Sequence, residues 1–315
     1  MRYINKKLIV GWDAASQIKK NGFCFADYID NDLTNIRFEK FKEDIDFFDY
    51  IKTKYNEYDQ ILFCIDTPLG YPEMFSYVQR PIRPGFYDSV PDTDVKEYLY
   101  RKTELFLQQK LQMQPISICA EKIAISSLKT FNRINKIKKE LDIDINVVWD
   151  FDFKDKLGMI EVYPVSLYKK LKIEHKNKKD RFPIMLTKLF DCYSTLLDKL
   201  KNSPENDDQL DALACVLIGE MFFKGECIEP ENLKSVKNEG WIWVPKNNEK
   251  IISNKIKKNN CRIYFSHSIK YLKKIVEKNR ENKDLLKEVK YELSFRKSKA
   301  AKELLNTIYD LLISK

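Results

Sequence analysis

Ile61-Leu62-Phe63-Cys64-Ile65-Asp66-Thr67-Pro68-Leu69-Gly70 sets five apolar residues in a row, then a carboxylate, then a proline turn. A short, continuously apolar run of this kind reads as a strand buried on both faces, as in parallel sheets covered by helices. A carboxylate that ends such a strand lies at the sheet's edge, where open α/β sheets bind ligands. Two more stretches repeat the pattern: Leu8-Ile9-Val10-Gly11-Trp12-Asp13, and Gly158-Met159-Ile160-Glu161-Val162-Tyr163-Pro164. Gly22-Phe23-Cys24-Phe25-Ala26 reads as the hairpin partner of the first, and a helical stretch falls near 43–55. The expected class is α/β, a mixed sheet flanked by helices. One Asp at a strand end is ordinary, but three acidic strand ends in one body point to a site.

A fourth acidic group lies on a helix. Ser203-Pro204-Glu205 reads as its start, with Ser as N-cap and Pro at the first helical position. Asp207-Asp208-Gln209-Leu210-Asp211-Ala212-Leu213-Ala214-Cys215-Val216-Leu217 follows. Leu210, Leu213, Ala214 and Leu217 share one helical face, and Asp207, Asp208 and Asp211 fall in a wedge beside it. The helix dipole accounts for two acids in the first turn but not for Asp211, which lies further in. Three like charges on one side of a helix repel unless a cation sits among them. If Asp13 and Asp66 face that helix, the donor set suits Mg²⁺ or Mn²⁺. Two such ions about 3.5–4 Å apart activate a water and stabilise a leaving oxygen.

Composition narrows the alternatives. The chain has 315 residues, 43% of them hydrophobic and 13% aromatic, which is enough to bury a core and excludes a disordered chain. No run approaches the roughly 18 apolar residues of a membrane span. The opening residues show no signal-peptide pattern, and the seven cysteines lie scattered without Cys-x-x-Cys spacing. The expectation is a reduced, cytoplasmic protein with no membrane partner. Only two histidines occur, His175 and His267, both in lysine-rich surroundings. A Cys/His zinc site or a Ser-His-Asp triad is therefore poorly supplied.

The net charge of +9 is unevenly placed. Residues 246–315 carry 19 Lys and Arg against 8 Asp and Glu, whereas 1–245 carry 37 against 39. The same tail lacks Gly and Pro, which favours helix, and Leu304, Leu305, Ile308, Leu311 and Leu312 recur at helical spacing. The chain thus divides into a body, 1–245, and a basic helical C-terminal extension, 246–315. Lysine-rich faces keep helices soluble. They can also clamp a phosphate backbone by releasing counterions, and Lys255, Lys257, Lys258 and Arg262, with the Arg296-Lys297-Ser298-Lys299 run, are the candidates. In the body, residues 67–95 hold five of the eleven prolines. There Arg80 and Arg83 are interleaved with Tyr71, Phe75, Tyr77, Phe86 and Tyr87. That mixture either grips nucleic acid by stacking and charge or packs on itself as an Ω-type loop.

Taken in series, Gly11-Trp12-Asp13-Ala14-Ala15, Asp66-Thr67-Pro68-Leu69-Gly70, Glu161-Val162-Tyr163-Pro164, Asp208-Gln209-Leu210-Asp211-Ala212 and Glu239-Gly240-Trp241-Ile242-Trp243 resemble the predicted RNase H-like nucleases of domain-of-unknown-function family 429. The resemblance spans about residues 8–245. It implies an RNase H-like mixed sheet flanked by helices, with acids gathered around divalent metal. Asp13 would be the first-strand ligand, Asp66 the ligand on the fourth strand, and Asp208 with Asp211 the final-helix pair. Glu161 would be a ligand or would bind a ligating water. Arg101 would meet a phosphate, with Glu104 standing where the family more often has Asp.

The function these features point to is a divalent-metal-dependent nuclease. It would hydrolyse the phosphodiester bonds of a nucleic-acid partner through its carboxylates and about two Mg²⁺ or Mn²⁺ ions. The alternative is a non-catalytic nucleic-acid or partner-binding protein that keeps the same fold. Phosphoryl transfer finds no Gly-x-x-x-x-Gly-Lys-Ser/Thr loop, and Glu161-Val162-Tyr163 lacks the lysine of a restriction-type Glu-x-Lys element.

Overall fold

Alternating side-chain direction along each strand decides what the central sheet can bury on its two faces. In the computed structural model, which describes residues 5–79, 90–173, 181–246, 269–294, 296 and 298–313, the strands are β1 (Lys7–Asp13), β2 (Gly22–Ile29), β3 (Asp32–Glu39), β4 (Gln60–Asp66), β5 (Asn146–Val147), β6 (Leu157–Val162) and β7 (Ile242–Trp243). They form one mixed sheet in the order β3-β2-β1-β4-β6-β5, with β7 also paired to β6. β1, β2 and β3 are antiparallel neighbours, and β4, β6, β5 and β7 continue in parallel. Asp30 and Asn31 join β2 to β3, both at positive φ (50° and 63°), the two-residue hairpin turn whose twist matches the strands.

Helix α1 (Asp44–Glu57) joins β3 to β4, helices α2 (Phe75–Val78), α3 (Val95–Leu99), α4 (Lys102–Leu111) and α5 (Glu121–Leu141) all lie between β4 and β5, and α6 (Pro164–Lys170) follows β6. After them come α7 (Arg181–Cys192), α8 (Asp207–Phe223) and α9 (Leu233–Val236). The C-terminal helices are α10 (Ile269–Lys278), α11 (Lys283–Ser294) and α12 (Lys299–Ile313). The chain forms two units: Met1–Lys170 with Lys199–Asn247, and Leu171–Asp198 with Asn248–Lys315. The sequence reading placed a single boundary near 245. The excursion 171–198, which joins the second unit, was not foreseen.

In the first unit, Leu8, Val10 and Trp12 of β1 and Ile61, Phe63 and Ile65 of β4 share a core with Phe47, Phe48 and Ile51 of α1 and Ile134 and Ile137 of α5. Trp12, Phe23 and Phe47 lie within 5.5 Å of one another, ring centre to ring centre. Each such side chain taken from water contributes roughly 1.5–3 kcal/mol. The intervening residues face α8. A Cβ on Gly11 would stand 2.0 Å from Ala212 O, and one on Gly22 would stand 1.8 Å from Asp208 O. Glycine at both positions lets the helix backbone lie directly on β1 and β2.

The sequence suggested an amphipathic α8 begun by Ser203 and Pro204. Instead Asn206 is the N-cap, accepting from Gln209 N at 2.9 Å, while Gln209 Oε1 accepts from Glu205 N at 2.8 Å. This reciprocal cap fixes the start three residues later. Twelve of the 17 residues of α8 are buried, so it is a core helix covered nearly all round. In its first half only Asp207, Asp208 and Asp211 stay partly open.

In the second unit, Leu272, Val276, Leu286, Val289, Leu293, Ala301, Leu304 and Ile308 make a separate core from α10, α11 and α12, with Leu305, Leu311 and Leu312 packed against it. The helical periodicity read in the tail is therefore a set of core contacts.

Candidate active site

The strand ends come first. β1 and β4 pair so that Asp13 stands opposite Asp66. Residues on one rung of parallel strands project to the same face. Two positions earlier on each strand, Gly11 meets Ala212 and Cys64 meets Gly219, both on α8. The two aspartates therefore rise on the α8 side. Asp208 arrives by backbone contact, since its carbonyl lies over Gly22, and Gly22 is the β2 partner of Asp13.

Asp211 follows one turn into the helix. The Tyr168 hydroxyl donates to its Oδ1 at 2.8 Å. Burial, then the charges of Asp211 and Glu161, push the Asp66 carboxyl well above the usual aspartate range. Cys215, one turn beyond Asp211, is pushed up by burial and then by Asp66, Asp13 and Asp211. Asp13, Asp66 and Asp211 therefore all act electrostatically on Cys215 of α8. Burial and then the Asp66 charge also push the Tyr163 phenol up to about 12.

The loops leaving β1 and β4 are tied down by α5. Ser126 Oγ donates to Ala14 O at 2.7 Å, and Arg133 donates to Ala15 O at 2.9 Å and Ser16 O at 3.0 Å. Thr67 and Ser127 share a hydroxyl hydrogen bond of 3.0 Å. Asn21 Oδ1 accepts from Trp12 Nε1 and Ala15 N, both at 2.8 Å. Strand-end acids on rims held this way keep their places without substrate.

Glu161 is placed differently. It pairs with Ile65, whose side chain belongs to the core on the other face of the sheet. There Arg101 binds it through Nη2–Oε1 at 2.6 Å and Nη1–Oε2 at 2.7 Å. The same guanidinium reaches Glu104 Oε1 from Nε and Nη2, at 3.1 and 2.8 Å, and Glu239 O at 3.1 Å. Arg101 is 0% exposed, so the expectation that it meets a phosphate is corrected: it is a structural counter-ion between two glutamates. Burial works against its charge, but Glu161 and Glu104 hold it protonated. Burial pushes the Glu104 carboxyl up, with Arg101 pulling it back. Glu161 Oε2 also accepts from Leu69 N at 2.9 Å, in the loop after Asp66.

Sequence reasoning missed three contributors. Glu239 was quoted in a motif without a role; its carboxylate, 3% exposed, accepts from Glu73 N at 2.8 Å and Lys102 N at 2.7 Å, joining that loop to α4. Tyr163 stood inside the Glu161 motif, again with no role. Tyr168 carried no signal at all. Tyr71 and Phe75 stack on each other, with ring centres 5.9 Å apart. Arg80, Arg83, Lys257 and Lys258 lie outside the described residues, as do both histidines. Arg296 of the tail is paired with Glu292 at 2.7 Å. A cleft of about 630 Å³ beside Tyr100, Gln108, Gln114 and Ser117 has no acid in its lining, so the carboxylate chemistry lies elsewhere.

The donor chemistry fits a hard divalent cation. Aspartates crowd together with raised proton affinity at Asp66, and Asp207 Oδ1 is a buried oxygen without a hydrogen-bond partner. The fit is one of charge: among the described residues, no three His, Cys, Asp or Glu side chains form a ready-made cage. Among the described residues no helix is long and apolar enough to cross a membrane. No family model, curated protein or solved structure matches the chain. The family resemblance therefore rests on the quoted motifs alone.

Proposed function

We propose that the chain is a divalent-metal-dependent nuclease of RNase H-like architecture, hydrolysing phosphodiester bonds of nucleic acid. One observation carries this reading: Asp13 and Asp66 share a rung at the ends of adjacent parallel strands, beneath the helix that bears Asp208 and Asp211. An antiparallel β1-β2-β3 meander continued in parallel by β4 and β6 supports the architecture. Asp13, Asp66 and Asp211, with Asp208 beside them, would hold Mg²⁺ or Mn²⁺. Bound there, the ions would supply an activated water and charge stabilisation for the leaving oxygen. The chain's own part is to hold these carboxylates at fixed strand ends and on a packed helix, close enough that a cation would relieve the crowding that raises the proton affinity of Asp66. By its resemblance the reaction leaves a 5′-phosphate and a 3′-hydroxyl.

A non-catalytic nucleic-acid or partner-binding protein is the second reading. It is favoured by the loss of Glu161 to Arg101, which leaves the acid group one member smaller. Incubation of the full chain with labelled single-stranded, duplex, hybrid and branched substrates, in Mg²⁺ or Mn²⁺ and in EDTA, separates the two. The nuclease reading expects metal-dependent products that disappear in Asp13→Asn and Asp211→Asn. Retained binding with no product from any substrate favours the binder.

A further inference from the structure

Building on the metal-site reading above, we infer that Tyr168 is a positioning residue that orients Asp211 for cation binding. Tyr168 lies in α6, is 0% exposed, and donates to Asp211 Oδ1 at 2.8 Å, with Leu210 O at 3.2 Å. An aspartate's terminal torsion is broad, so on a helix its carboxylate turns through many angles unless a donor fixes it. A phenol locked in a core is such a donor, and this one reaches α8 from a separate element. α6 begins at Pro164, two residues after β6 ends at Val162, so the hydrogen bond references Asp211 to the sheet.

The identity of the donor matters as much as its place. A neutral hydroxyl orients Asp211 without cancelling its charge. Glu161 received the opposite treatment, a guanidinium that neutralises it. One acid is held in position by a neutral donor, while the other is bound by a guanidinium.

Donors behind a metal ligand typically change metal affinity about 10–100-fold when removed. Tyr168→Phe deletes only the hydroxyl. Calorimetric titration of the full chain with Mn²⁺ alone should show a dissociation constant at least about tenfold higher than wild type, with the Tm in EDTA lowered little. Ser166→Ala, in the same helix and bonded to Tyr163 O, should bind Mn²⁺ like wild type. In an Asp211→Asn background the tyrosine change should add nothing, because its acceptor has already been altered. Equal Mn²⁺ affinity in wild type and Tyr168→Phe overturns this role alone, as does equal weakening by Ser166→Ala. No Mn²⁺ binding by the wild-type chain overturns the metal reading and the role with it.

Discussion

Glu161 shares a rung with Ile65 and not with Asp66. That offset of one residue sends its side chain to the face opposite Asp13 and Asp66, where Arg101 meets it in a fully buried ion pair. Period-two alternation turns a single step of register into a change of role.

Arg101 is the counter-charge for two buried glutamates, so its removal strands both. Arg101→Ala should lower stability by about 3–5 kcal/mol, as breaking a buried pair usually does. Glu161→Gln, which keeps the shape and half of the hydrogen bonding, should cost less. Urea unfolding of both variants checks the order, and a smaller loss for Arg101→Ala would refute the counter-ion role.

Burial and the charges of Asp211 and Glu161 all favour the protonated form of Asp66. Its native proton affinity exceeds that of the unfolded chain, so its contribution to stability is fully present below the ordinary aspartate value of about 3.9. It is lost as pH rises toward the raised value. In EDTA, wild type should therefore lose Tm across that rise, whereas Asp66→Asn should lose less and melt higher near neutral pH. Added Mn²⁺ should raise the wild-type Tm and leave that of Asp66→Asn nearly unmoved. Melting curves over a pH series, with and without the ion, test both statements.

Asp27 runs the other way. Burial pushes its carboxyl up, but hydrogen bonds from Tyr58, Asn35 and Arg37, with Lys6 nearby, hold it below the usual range. Its stabilisation is present above about pH 3.9 and is lost as pH falls through the lowered value. Asp27→Asn should melt well below wild type at pH 6. The gap should close as the medium is acidified past the aspartate range, and a gap independent of pH would contradict the assignment.

Gly22 has no room for a methyl group. Gly22→Ala should cost about 1–3 kcal/mol, the usual range for overpacking, and should push the first turn of α8 off the end of β1. On the proposed nuclease reading, turnover should fall with it even at temperatures where the variant is folded. Circular dichroism alongside the cleavage assay separates displacement from unfolding.

Much of the fold was open to reading because it rests on local pattern. Apolar runs marked β1, β4 and β6, the acidic ends of the first two do share a rung, and the spacing of Leu304 and Ile308 marked a core helix in the tail. The start of α8 was misread because Ser203-Pro204 is a sound cap by itself, and only Gln209 reaching back to Glu205 N reveals the later one. Glu161 could not be separated from the other acids, because register between strands is set by tertiary packing. Arg101 was assigned to a phosphate by the family resemblance, and its pairing with Glu161, 60 positions away, is set by tertiary packing and not by local sequence. The 171–198 excursion opens with the charged run 172–181, but such a run reads as a solvated face or loop and does not announce a change of unit.

α8 is a core helix that also presents the acids, and this joins two properties that enzymes often keep apart. A catalytic lid can swing while the scaffold stays still, but here the scaffold itself carries Asp208 and Asp211. Any drift of Asp208 or Asp211 large enough to spoil coordination would have to break the packing of Leu210, Leu213 and Val216. The carboxylates are thus fixed to the core: if the proposed nuclease reading holds, an incoming strand would have to adapt its own backbone to them, and heat should abolish turnover only when it melts the whole unit.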